Sequence, residues 1–302
     1  MEKIHKKTVV VRLPRGETTM IAYAEQGSGK RVCIFLHGLF GSKREFVELI
    51  FPHMPKRGWR SIAIDFPGFG KSPGLKRANN VSGYAELLRA FMDTLGIKRA
   101  YLYGMSMGGA VALSFGAKHP ERVVAIAAQG APESGREFSI ALSWLVHKVR
   151  DWSRLGPITF RFFWEGFKEL VATNPSLLRE VFSGLLSRAE AEMVSDQVRA
   201  IGLEDFFDTD AVAAVEAATS LMELDLCPAL RAYTVPVLVL DGEAPASRAL
   251  ASTPRIMRLL PPGLGRAYLF KDVGHMATLL RPQEAAQVTL VFFKAVPDQR
   301  PR

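Results

Sequence analysis

Short apolar runs alternate with amphipathic stretches along the first half of the chain. Two segments of alternating polarity, joined by a turn at Pro14–Gly16, predict an antiparallel hairpin. Four largely apolar runs after it predict buried strands, and stretches with helical spacing separate them. This alternation indicates a parallel sheet covered by helices on both faces. The predicted strands are 8–13, 18–25, 31–36, 59–64, 97–103 and 122–128, and the helices are 43–54, 81–95 and 108–117.

The pattern changes after Gly130. From about Glu133 to Asp225 there is no run of the buried-strand kind, and apolar positions recur at helical spacing. Strand patterning returns at 235–240 and 266–270, so the helical block is an insertion between two strands of one sheet. Helices are predicted at 139–152, 157–172, 175–193, 248–260 and 282–295. We expect 1–132 and 226–302 to form a core domain, and 133–225 to form a helical cap over the site.

The composition is that of a globular protein without a membrane span. The chain has 302 residues, of which 48% are hydrophobic, which provides ample material for a core. The N-terminus lacks the long uncharged run of a signal peptide, and no uncharged apolar stretch is long enough to cross a bilayer. The two cysteines, Cys33 and Cys227, lie in apolar segments, which favours reduced thiols and a cytoplasmic location.

The net charge of +9 does not indicate a nucleic-acid partner. Lys and Arg are scattered along the chain, and no run of them alternates with aromatic residues. No nucleic-acid-binding motif is present either. The charge is better explained by a basic, solvated surface than by an acidic partner.

The sequence GMSMG at 104–108 joins a predicted strand to a predicted helix and fits the pattern G-x-S-x-G. In that context the turn is sharp and holds its serine in a strained conformation. Glycine on either side of the turn avoids collisions with neighbouring backbone. Ser106 then lies at a helix N-terminus, which favours negative charge developing nearby. The pattern predicts that Ser106 is a nucleophile rather than a serine in an ordinary turn.

The chain resembles the α/β-hydrolase family over nearly its whole length. The matching motifs are HGLFGS at 37–42, DFPGFGKS at 65–72, GMSMGG at 104–109, HPERV at 119–123 and DVGH at 272–275, in the family's order. The resemblance implies an α/β fold with an eight-stranded, mostly parallel sheet. It also implies a lid inserted after the sixth strand, where the helical block lies.

The same resemblance assigns the base and the oxyanion donors. A serine needs a base to take its proton, and His275, in a Gly-His turn after a short strand, resembles the family's base. The backbone N–H groups of Met107 and Leu39 correspond to the family's oxyanion hole. His37 is expected to be structural, because no His, Asp or Glu cluster at metal spacing accompanies it. We therefore expect neither a metal nor a cofactor.

The acid is where the sequence departs from the family. The family usually places an aspartate three residues after a glycine beyond the strand at 236–240, and this chain has Pro245 there. Glu243 on the same loop, Asp241 at the strand end and Glu133 beyond the preceding strand are the alternatives. We favour Glu243, because its loop normally carries the acid that orients and stabilises the imidazole.

These residues predict a serine hydrolase that cleaves small-molecule carboxylic esters with apolar acyl groups through an acyl-enzyme. A close alternative is the hydrolysis of carbon–carbon bonds in dienoic ring-cleavage products, which similar capped members of the family perform. A third hypothesis is a ligand-binding protein with weak or lost catalysis, because the expected aspartate is missing.

Overall fold

The computed structural model describes residues 4–14, 16–76, 78–138, 140–174, 188–243 and 252–298. The strands in these residues are β1 His5–Arg12, β2 Thr18–Gln26, β3 Ser28–Leu36, β4 Arg57–Ile64, β5 Ala100–Met105, β6 Val123–Gln129, β7 Val237–Gly242 and β8 Gly265–Phe270. They form one sheet in the order β1-β2-β4-β3-β5-β6-β7-β8. The pairs β1–β2 and β2–β4 are antiparallel, and all other neighbours are parallel. The predicted mostly parallel, eight-stranded sheet is confirmed.

The central strands are buried on both faces. Every residue of β5, β6 and β7 is buried. Because successive side chains of a strand point to opposite faces, Tyr101 and Tyr103 pack into one hydrophobic cluster and Leu102 into another. Helices on both faces explain why these strands read as continuous apolar runs. The carboxyl ends of the parallel strands meet at one edge, where the candidate site residues follow.

The helices of the core include one departure from the predicted pattern. The segment 43–54, expected to be one helix, is an α-helical turn at Lys43–Glu45, a π-helical stretch at Phe46–Ile50 and a 3-10 turn at Phe51–His53. Pro52 explains the change, since it has no N–H to continue the α-helical ladder. The other core helices are Val81–Thr94, Met107–Lys118, Cys227–Arg231, Thr253–Leu259, Ala277–Leu280 and Pro282–Ala295.

The described part of residues 133–225, called the cap below, is helical. Its helices are Ile140–Leu155, Pro157–Thr173, Arg188–Met193, Asp196–Phe207 and Ala211–Met222. Its two ends meet at an isolated antiparallel bridge between Ser134 and Asp225, beside the hydrogen bond from Leu226 N to the carbonyl oxygen of Glu133 at 2.8 Å. Residues 175–187 of the predicted helix 175–193, and 248–251 of the predicted helix 248–260, lie outside the described residues. None of the described helices has the length and apolar character needed to cross a membrane.

Candidate active site

Ser106 lies in a strained turn between β5 and the helix Met107–Lys118. Its backbone has φ of 51° and ψ of −115°, a conformation that a residue with a Cβ rarely adopts. Such strain costs about 1–3 kcal/mol and persists only where surrounding contacts enforce it. One of these contacts is the hydrogen bond from Ser106 N–H to the carbonyl oxygen of Gln129, at 2.7 Å. The half-buried side chain therefore stands at a helix N-terminus, where the peptide dipoles favour negative charge.

Two glycines allow the backbone of this turn to pack closely. A Cβ at position 108 would lie 2.1 Å from the carbonyl oxygen of Leu36, at the end of the neighbouring strand. A Cβ at position 104 would lie 2.3 Å from the carbonyl oxygen of Gly108. Real Cβ atoms do not approach so closely, so both positions need glycine, as the G-x-S-x-G pattern indicates.

The loop after β3 approaches the serine from the other side. A Cβ on Gly38 would lie 3.4 Å from the Cβ of Ser106, so the loop and the turn are in contact distance. Leu39 follows on this loop and is half-buried, whereas Met107 is fully buried at the helix start. The first N–H groups of a helix have no acceptor within the helix. The structure thus brings together the two segments from which the predicted oxyanion donors come.

His37 and Asp65 have structural roles beneath this loop. His37 Nε2 accepts the Phe66 N–H at 2.9 Å, and Nδ1 lies 2.7 Å from the carbonyl oxygen of Gly38, to which it donates in the neutral ring. Burial lowers the pKa of His37 to about 4, which keeps that ring neutral. The carboxylate of Asp65 accepts the backbone N–H of Lys43 at 2.7 Å and pairs with its ammonium group. Both side chains stabilise the loop rather than face the serine.

His275 is buried beside the end of β6. Its Nδ1 faces Gly130, where a Cβ would lie 2.7 Å away, so the ring occupies the space left by the missing side chain. Within the described residues, Nδ1 has no hydrogen-bond partner. Burial lowers the pKa of His275 to about 4, against the opposing effect of the negative charge of Glu190. The imidazole is therefore neutral at pH 7 and able to accept a proton.

Gln129 links the serine to the histidine. Its backbone carbonyl accepts the N–H of Ser106 at 2.7 Å, and its side-chain Nε2 donates to the carbonyl oxygen of His275 at 2.8 Å. Thr278 Oγ1 donates to the side-chain oxygen Oε1 of Gln129 at 3.0 Å, and the hydroxyl of Tyr103 lies 2.6 Å from Thr278 Oγ1. Gln129 was not predicted from the sequence, although a glutamine at the end of the apolar run VVAIAAQ is a usable signal.

The three carboxylates predicted as candidates for the acid each make contacts with residues other than His275. The side chain of Glu243 is exposed, and its backbone N–H donates to the carbonyl oxygen of Phe270 at 3.0 Å. Asp241 is buried and accepts the N–H of Gly242 at 3.0 Å, and burial raises the pKa of its carboxyl group. Glu133 is buried and accepts Nε of Arg255 at 2.6 Å. In the described part of the chain, none of the three hydrogen bonds to His275.

A carboxylate from the cap lies next to His275 instead. Glu190 Oε1, on the helix Arg188–Met193, accepts the backbone N–H of Gly274 at 2.5 Å. The side chain is 0% exposed. No local sequence pattern predicts this residue, because the contact joins the cap to a turn 84 positions further along the chain.

Aromatic side chains of the cap cover the loop that carries Leu39. Phe40, with φ of 63°, stacks on Trp164 with 6.3 Å between ring centroids. Trp164 in turn contacts Phe206 at 5.5 Å. This apolar contact joins two cap helices to the predicted oxyanion loop.

A separate cleft lies elsewhere in the described residues. It has a volume of about 670 Å³ and lies between the loop 68–74 and the cap. Its walls carry charges of both signs, including Lys71, Lys168 and Asp208. Neither Ser106 nor His275 lines it, so this cleft is separate from the candidate site.

Comparisons with known proteins agree with the fold. Residues 32–177 match the family model described as alpha/beta hydrolase fold. A thermophilic esterase from Thermogutta terrifontis, solved with malate bound, superposes with a TM-score of 0.75 over 96% of this chain and 99% of that chain. The two are 20% identical in sequence, so this likeness concerns the fold alone.

Two curated relatives show likeness in sequence. A 2-hydroxy-6-oxononadienedioate/2-hydroxy-6-oxononatrienedioate hydrolase of Paraburkholderia phymatum is 33% identical over 126 residues, which are 41% of this chain and 44% of that protein. The AB hydrolase superfamily protein YisY of Bacillus subtilis is 25% identical over 75% of this chain and 78% of that protein. The chain thus spans less than half the length of the first relative.

Proposed function

This chain has the α/β-hydrolase fold, and we propose that it is a serine hydrolase that cleaves carboxylic esters through an acyl-enzyme. One observation carries the proposal: the strained turn of Ser106 and the buried, neutral His275 are both held by Gln129. Nucleophilic catalysis needs a serine and a neutral imidazole held in fixed positions, and here Gln129 hydrogen bonds to the backbone of both residues. The likeness to the esterase supports the fold alone.

In the proposed reaction, Ser106 Oγ attacks the ester carbonyl carbon while His275 takes the hydroxyl proton. The oxyanion that forms accepts hydrogen bonds from the backbone N–H groups of Met107 and Leu39. His275 then gives its proton to the departing alkoxide, which leaves as the alcohol. Water attacks the acyl-serine with His275 again as base, and the acid is released with free Ser106.

Glu243 is the weakest member of the predicted triad. Its exposed side chain does not support a role in orienting His275. The catalytic groups that we propose within the core are therefore Ser106 and His275. The charge that stabilises the imidazolium must come from another carboxylate, or the activity must be low.

Hydrolysis of p-nitrophenyl esters tests the proposal. We expect turnover of acetate to hexanoate esters by the wild type, and a loss on the order of 10³-fold or more in Ser106→Ala, because the nucleophile is removed. Circular dichroism checks that the variant is folded. Turnover that persists in Ser106→Ala would contradict the assigned nucleophile.

Carbon–carbon bond hydrolysis is a second candidate. The observation that favours it is the 33% identical relative, whose name is that of a dienedioate hydrolase. The loss of the dienoate absorbance band with a 2-hydroxy-6-oxo-dienoate substrate would support this candidate, if esters are turned over more slowly. Tight binding of either substrate class without turnover would indicate the ligand-binding alternative.

A further inference from the structure

Glu190 is a buried carboxylate that contacts the backbone beside the proposed base. Its Oε1 accepts the N–H of Gly274, at 2.5 Å, and the residue is 0% exposed. Burying an ionised carboxylate is costly unless hydrogen bonds or an opposite charge offset the loss of hydration. The residue that follows Gly274 is His275, which becomes positively charged when it takes a proton from Ser106.

The core does not provide this charge in the described residues. Glu133 is paired with the guanidinium of Arg255, and Asp241 accepts from Gly242 and, at 3.3 Å, from Thr253. The charged residues that flank the His275 turn, Lys271 and Asp272, are exposed. Among the described groups, Glu190 is the one whose charge raises the pKa of His275 against burial.

We propose that Glu190 of the cap is a positioning residue that supplies His275 with the negative charge that a core aspartate provides in related folds. The inference rests on the proposed role of His275 as base. The carboxylate acts in two ways: it fixes the Gly274–His275 segment through the backbone N–H, and its charge stabilises the imidazolium. The base strength of His275 then depends on how the helix Arg188–Met193 packs against the core. The cap therefore contributes to proton transfer.

Glu190→Gln separates the charge from the hydrogen bond. The amide oxygen of glutamine still accepts the Gly274 N–H, and the two side chains have nearly the same volume, so the variant removes the charge and keeps this hydrogen bond. Glu192→Gln, at an exposed position of the same helix, is the matched control. We expect Glu190→Gln to lower kcat about 10- to 100-fold with little change in KM, because one or two pKa units of imidazolium stabilisation are lost. Glu190→Asp should restore part of the activity.

The pKa of His275, measured by NMR on ¹⁵N-labelled histidine, tests the inference without relying on turnover. The His275 signal is assigned by its absence in His275→Gln. The account predicts a lower pKa for His275 in Glu190→Gln than in the wild type, and an unchanged pKa in Glu192→Gln. Equal pKa values in all three proteins would overturn the inference. A lowered pKa in a protein without esterase activity would support the role of Glu190 and contradict the proposed function instead.

Discussion

At the scale of residues, the geometry of the site depends on backbone groups held by buried side chains. Ser106 and His275 were predictable because their signals are local, a G-x-S-x-G turn and a Gly-His turn. Gln129 was not, since its amide contacts a carbonyl 146 positions away in the chain. The buried carboxylate of Glu190 next to the His275 turn was not predictable for the same reason: neighbouring sequence does not reveal which carboxylate a folded chain brings to a distant turn.

Replacement of Gln129 by leucine should reduce catalysis more than binding. The variant removes the donor to the His275 carbonyl oxygen and the acceptor for Thr278. We expect kcat to fall about 10- to 100-fold with KM nearly unchanged, because small displacements of a base are costly. Stability should fall by about 1–3 kcal/mol, from buried polar groups left without partners. Steady-state kinetics and urea denaturation measure the two effects.

Gln26→Leu is the matched control for this prediction. Gln26, in β2, is also a buried glutamine, and its Nε2 donates to the carbonyl oxygen of Phe51. It should lose a similar amount of stability and keep its kcat. Equal loss of kcat in the two variants would show that Gln129 acts only through stability.

At the scale of elements, the cap and the core meet at two buried carboxyl groups. Asp205, on the helix Asp196–Phe207, accepts the hydroxyl of Ser42 at 2.7 Å. Burial raises the pKa of Asp205 to about 7, and burial together with the charge of Asp205 raises the pKa of Glu45. Elements with strong periodicity, such as Pro282–Ala295, were predicted with their bounds. A contact between two elements distant in sequence leaves no such periodic signal.

The buried carboxyl groups of Asp205 and Glu45 make the free energy of unfolding depend on pH, and the raised pKa values give the sign. Between about pH 4 and 7 the native state keeps a proton on Asp205 that the unfolded state releases, so the free energy of unfolding falls as the pH rises. The contribution is on the order of a few kcal/mol. Asp205→Asn should remove it, so the difference in unfolding free energy between variant and wild type should grow from pH 5 to pH 8. Urea denaturation at several pH values measures this difference.

Asp208→Asn serves as the control for the pH experiment, because Asp208 is partly exposed and pairs with Lys71 at 2.7 Å. It should change the pH slope far less than Asp205→Asn, because the charge of Asp208 is the smallest of the causes that raise the pKa of Asp205. The buried histidines His37 and His275 contribute the opposite slope below about pH 6.5 in every variant, so they cancel in the comparison. Parallel curves for Asp205→Asn and the wild type would contradict the raised pKa of Asp205.

At the scale of the whole molecule, the fold follows from the order of strands, helices and motifs. The turn of Ser106, the loop after β3 and the Gly-His turn all lie at the carboxyl edge of the sheet, because parallel strands end on the same side. The helical insertion was recognisable from the loss of strand patterning between the sixth and seventh strands. The contacts of this insertion with the site were not recognisable from the sequence, since Glu190 and Trp164 reach the core only through packing of the folded cap.

The central claim is that His275 activates Ser106 as a nucleophile, and covalent labelling with a fluorophosphonate tests it most directly. Peptide mass spectrometry should find the phosphonyl group on Ser106 in the wild type and no label at this turn in Ser106→Ala. In folded His275→Ala the labelling rate should fall on the order of 10²–10⁴-fold, because general-base assistance is lost. A label on another residue, or an unchanged rate in His275→Ala, would contradict the account.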